Sequence, residues 1–100
     1  MLCLMMVLTV VSATVDETQS GDLVAAFEDL LATGLPDGLL ETRLVAGDQQ
    51  QWAIHSLWRD QAALEAMRAS GEPPAAPALF KRFGSEPSLA ILRVMANGKA

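Results

Sequence analysis

The chain is 100 residues long, 51% hydrophobic and 19% charged, with a formal net charge of −5, one histidine and one cysteine, Cys3. That length makes a single domain, residues 1–100, whose modest core leaves an excess of apolar surface that a second subunit would absorb. An acidic balance with scattered basic residues excludes the phosphate-neutralising stripe of a nucleic-acid binder, and the cysteine and histidine counts exclude a disulfide framework and a cysteine-based zinc site. A transition-metal site built almost wholly from carboxylates is not expected either.

The opening stretch, MLCLMMVLTVVSA, carries no charge. An export signal would want a basic leading segment, and no Lys or Arg precedes Arg43. The run is also well short of the ~20 apolar residues that cross a bilayer as a helix, so no membrane partner is expected. Val7, Thr9, Val10, Val11, Thr14 and Val15 supply the β-branched content of a strand buried on both faces, and a cytoplasmic protein is the corresponding expectation. Helices can cover one face of such a sheet. The other needs a second sheet, which this length cannot build and a homodimer can.

DLVAAFEDLLATG follows, with Leu23, Phe27, Leu30 and Leu31 on one helical stripe, Ser20 or Asp22 as the start and Gly34 as the end. LPDG at 35–38 is a turn. LLETRLVAG is a second strand, with Leu40, Thr42 and Leu44 on one face and Leu39, Glu41, Arg43 and Val45 on the other. GDQQ at 47–50 connects it to a third strand, Gln51 to Arg59. Asp60 then caps a second helix, QAALEAMRAS, with Ala63, Leu64 and Met67 on its apolar stripe and Gly71 as its stop. EPPAAP reads as a rigid connector, ALFKRFG as one or two helical turns, and Leu89 to Met95 as a last strand. The order β-α-β-β-α-β predicts an α+β, ferredoxin-like domain: four antiparallel strands with two helices on one face.

The apolar first strand, the helix ending near Gly34, GLLETRLV, and a strand ending in Trp58 followed by RDQAALEAM resemble the antibiotic biosynthesis monooxygenase family of dimeric α+β barrel proteins, over about residues 4 to 95. The resemblance implies a homodimer whose two sheets face each other, with a ligand pocket in each subunit between sheet and helices. It also implies oxidation of anthrones or quinols by dioxygen with no metal, flavin or other cofactor. A related branch degrades haem with an Asn on the first strand and a His after the tryptophan-bearing strand. This first strand has no Asn and His55 precedes Trp58, so haem degradation is not expected. The chain has no tyrosine, unlike anthrone-oxidising members that place phenols in the pocket.

Within the third strand, Trp52, Ile54, Ser56 and Trp58 share one face and Ala53, His55, Leu57 and Arg59 the other. His55 is the natural general base at neutral pH, and Trp58 with Trp52 offers indole faces to a planar aromatic substrate. A His55–Ser56 nucleophile pair is excluded, because neighbours in a regular strand point to opposite faces. Arg43 can bind a substrate oxyanion or pair with Glu41, and Phe80 and Phe83 can close over a pocket or simply fill the core. No Gly-rich phosphate loop, G-x-S-x-G, H-E-x-x-H or C-x-x-C is present. Two functions follow: a cofactor-independent monooxygenase of a small aromatic or quinol, with His55 and Trp58 as catalytic residues and Trp52, Arg43, Phe80 and Phe83 at the substrate, or a non-catalytic dimeric barrel that binds a small apolar ligand or serves as an assembly module.

Overall fold

In the computed structural model, residues 5–71 and 74–98 are described; Met1 to Leu4, Glu72, Pro73, Lys99 and Ala100 lie outside them, and with them the start of the apolar run, Cys3 and part of the proline-rich connector. The elements are β1 (Val7–Thr14), α1 (Ser20–Ala32), β2 (Leu39–Ala46), β3 (Gln51–Trp58), α2 (Gln61–Ala69), α3 (Ala75–Arg82) and β4 (Ser88–Arg93). All strand pairs are antiparallel, in the order β2-β3-β1-β4, so the expected ferredoxin-like α+β arrangement is the one found. β1 runs through the middle of the sheet, between β3 and β4. The opening stretch, from Val7 on, is therefore part of the folded domain.

All three helices pack on one face of this sheet. Val11, Ala13 and Ile54 meet Leu23, Phe27, Leu79 and Phe80 in one cluster, while Val7 and Trp58 meet Ala63 and Leu64 in a second. Full burial of an Ile, Leu or Phe side chain stabilises by roughly 1.5–3 kcal/mol, so these two clusters hold the helices down. Among the described residues no helix lies on the opposite face. There the side chains of Leu8, Val10, Ala53, His55 and Leu57 are only half-buried, by their neighbours in the sheet.

Several local expectations need correction. α1 is not capped by Ser20 or Asp22: a 3-10 turn, Glu17–Gln19, precedes it, and Asp16 accepts hydrogen bonds from the Thr18 backbone N–H and hydroxyl, each at 2.9 Å. In β2 the alternation breaks, because Leu39 pairs with Trp58 and Glu41 with Leu57, leaving Leu40 bulged and exposed. Leu39 thereby joins the helix side beside Trp58, and Leu40 does not share a row with Thr42 and Leu44. The proline-rich connector is shorter than expected, since α3 already starts at Ala75. Pro77 sits in its first turn, where a missing N–H leaves no helical bond unmade. β4 ends at Arg93 rather than at Met95.

Asp60 caps α2 as expected, its carboxylate accepting from the Ala63 N–H at 2.8 Å. Gly38 sets the distance between that helix and the sheet. Its φ of +86° suits glycine, its carbonyl accepts from the Arg59 N–H at 2.8 Å, and a Cβ there would run into the side chain of Ala63.

Candidate functional site

Between the sheet and the helices lies a cavity of about 180 Å3. Its floor is the helix-side face of the sheet: Thr9 and Val11 of β1, Thr42 of β2, and Ile54, Ser56 and Trp58 of β3. Strand alternation delivers all of these side chains to one face, and the register Thr9↔Ser56↔Thr42 aligns three hydroxyls across three strands. One wall is the C-terminal half of α1, with Phe27, Leu30 and Leu31, and the other is α2, with Leu64, Met67 and Arg68. The mouth is bordered by residues 33–36 after α1, by residues 74–77 at the start of α3, and by Leu89 and Ile91 of the edge strand β4.

The lining is apolar apart from the floor hydroxyls, one guanidinium and Thr33, whose hydroxyl donates to the Leu30 carbonyl at 2.7 Å. Trp58 donates its indole Nε1–H to Thr9 Oγ1 at 3.2 Å, and Thr9 Oγ1 donates in turn toward the Ser56 carbonyl at 3.5 Å. Thr42 Oγ1 and Ser56 Oγ lie 2.9 Å apart. Trp58, Thr9 and Ser56 are buried, so these bonds lock the indole in place on the cavity floor. Arg68 stands at the rim, half exposed and 3.8 Å from Glu65. Among the described lining residues there is no histidine and no carboxylate, and among the described residues no cluster of His, Cys, Asp and Glu has the makeup of a metal site.

Of the side chains expected at a substrate, Trp58 alone lines the cavity. Trp52 is three pairs farther along the same face and packs against the core cluster of α1 and α3. Phe80 is fully buried in that cluster and Phe83 packs against it, so both are core aromatics rather than a cover over the mouth. His55 and Arg43 lie directly opposite one another on the helix-free face of the sheet. Arg43 forms an exposed ion pair with Glu41, a type of contact worth about 0–1 kcal/mol. The separation of His55 from Ser56 and Trp58 follows from odd spacing along a strand.

The floor hydroxyls were not singled out from the sequence. Their signal is parity: Thr9 and Ser56 are the polar residues on otherwise apolar strand faces, and Ser56 shares its face with Trp58. The contributions of β4 and of residues 33–36 come together only in the tertiary structure and leave no local mark.

Residues 6–81 match the family model described as antibiotic biosynthesis monooxygenase. No curated protein sequence matches the chain. Similar solved structures include SnoaB, a cofactor-independent oxygenase of Streptomyces nogalater, at 14% identity and a TM-score of 0.69, covering 92% of this chain and 95% of that one. A heme-degrading protein of Mycobacterium tuberculosis is similar at 19% identity and a TM-score of 0.71, with 98% and 100% covered. A proposed antibiotic biosynthesis monooxygenase of Caulobacter crescentus is similar at 18% identity and 0.71, with 93% and 92% covered. At these identities the likeness is one of fold.

Proposed function

The chain belongs to the antibiotic biosynthesis monooxygenase family, and from that premise we propose that it is a cofactor-independent oxygenase holding a small aromatic or quinol-type molecule in the cavity over Trp58. The observation that carries this reading is the hollow itself: an apolar space of about 180 Å3, above the roughly 150 Å3 that accepts a benzene ring, with an indole fixed on its floor. Substrate and dioxygen supply all the atoms of such a reaction. A ring CH2 becomes C=O with one oxygen atom, and the other leaves as water with the two hydrogens. The protein's part is to hold the ring, exclude bulk water and favour the carbanion that reacts with oxygen.

A second copy of the chain on the helix-free face belongs to the same reading, supported by the apolar row of Leu8, Val10 and Leu57 with no helix over it. In that arrangement His55 sits at the contact between copies rather than beside the ligand. A cytoplasmic location completes the reading; among the described residues no helix is long and apolar enough to cross a membrane.

The described lining holds no carboxylate or imidazole to take a proton, and this favours a second reading, a barrel that binds its ligand without transforming it. Oxygen consumption over a panel of anthrones and hydroquinones separates the two. The oxygenase reading expects uptake above background that falls at least tenfold in Trp58→Ala. Binding of the same compounds with uptake at background would leave the binding barrel in its place.

A further inference from the structure

We infer that the Thr42–Ser56 hydroxyl pair is the anchor that orients the ligand, and that it selects a neutral ring ketone, donating a hydrogen bond to the carbonyl oxygen. This rests on the proposed use of the cavity and adds to it the residues that hold the ligand's carbonyl.

The inference comes from counting protons on the cavity floor. The indole N–H of Trp58 is spent on Thr9 Oγ1, and the hydroxyl proton of Thr9 is directed at the Ser56 carbonyl. Those two donors are committed within the protein. Thr42 and Ser56 bring one hydroxyl proton each, and at 2.9 Å only one of the two can lie between their oxygens. The other proton has no acceptor in the described contacts of either residue, and both side chains line the cavity. Ser56 is buried and Thr42 half-buried, and a donor in such a setting gains from an acceptor, so the site favours a ligand that brings one.

The rest of the lining narrows the choice. No carboxylate lines the floor to balance a cationic ligand, and Arg68 is at the rim rather than beside the pair. A neutral carbonyl on a planar apolar ring meets the donor without burying a net charge. As a C–H proton next to that carbonyl leaves, negative charge grows on its oxygen, and the same hydroxyl donates to it more strongly. The anchor is thus also a positioning element for the carbanion the oxygenase reading needs.

Equilibrium dialysis with 1-tetralone and its deoxygenated counterpart tetralin tests this on the full chain. The wild type is expected to prefer the ketone, and the ratio of the two affinities is expected to fall about tenfold in Thr42→Val with Ser56→Ala, while tetralin still binds. Exchanging the hydroxyls, Thr42→Ser with Ser56→Thr, is expected to restore the ratio. If the double variant loses tetralin as well, the C=O stretch of 1-tetralone bound to the wild type carries the test: a band at lower wavenumber than in a hydrocarbon solvent is expected, and an unshifted band overturns the anchor. A ratio unchanged by removal of the hydroxyls overturns the anchor and leaves the cavity standing. Failure of the wild type to bind either compound overturns the ligand cavity and the anchor together.

Discussion

The two faces of strand β3 do different work with neighbouring residues. Toward the helices, Ile54, Ser56 and Trp58 are buried and form core and cavity floor; away from them, Ala53, His55 and Leu57 are half-buried, with no helix above. Three layers, helix, cavity and sheet, lie on one side, and a bare apolar and charged surface lies on the other. A period of two residues is enough to separate the cavity floor from the face that no described helix covers.

The sharpest way to break this contrast is to truncate one side chain on each face. Ile54→Ala, in a site 2% exposed, is expected to cost about 2–5 kcal/mol in urea unfolding, independent of protein concentration. Leu57→Ala is expected to cost less, with a loss that depends on concentration if a second copy covers that face. Equal, concentration-independent losses would show that the two faces are buried alike. Gly38→Ala is next in size, at about 1–3 kcal/mol by thermal unfolding, because φ is +86° there and the new methyl would push Ala63 and α2 off the helix side of the sheet. Asp60→Ala is expected to cost about 1 kcal/mol through loss of the cap on the Ala63 N–H. Because α2 brings Leu64 and Met67 to the cavity, this variant should also weaken 1-tetralone binding in dialysis, whereas Leu57→Ala should not.

The smallest effect lies away from both faces. Hydrogen bonds from the Thr18 backbone N–H, and then from its hydroxyl, hold the Asp16 carboxyl below its ordinary value of 3.8. A carboxyl whose value is lowered on folding contributes stability that is present above the unfolded value and is lost as pH falls through the folded one. The contribution of Asp16 is therefore complete near neutrality and disappears only in acid below about pH 4. Carboxyl-detected NMR titration of Thr18→Ala should show the Asp16 midpoint move upward, with the cavity resonances unchanged.

The layered half of this contrast was legible in the sequence, and the site only in part. Apolar runs of strand length, the stripe Leu23–Phe27–Leu30 and the cap at Asp60 are local signals, and they give the order of elements that the structure shows. Parity along Gln51–Trp58 also separates His55 from Trp58, and this argues against placing both at one substrate within a subunit. What parity does not say is which face the helices cover, since that depends on packing far along the chain. The β2 bulge escaped for a related reason: one extra residue shifts Leu39 onto the helix side without changing the composition of the strand. Phe80 and Phe83 follow a proline-rich segment that reads as a rigid connector, yet Pro74 and Pro77 sit where helix starts tolerate proline; α3 buries Phe80 in the core, and Phe83, just past its end, packs against that core.

The most direct measurement is a titration of the protein with 1-tetralone, followed through the two indole N–H signals, because Trp58 lies on the cavity floor and Trp52 packs in the core away from it. A shift of the Trp58 signal with Trp52 unmoved is the expected result, and it would place the ring between the helices and the sheet. A Trp58 signal that stays still while amides around His55 and Arg43 shift would put the ligand on the helix-free face and contradict the division of labour between the two.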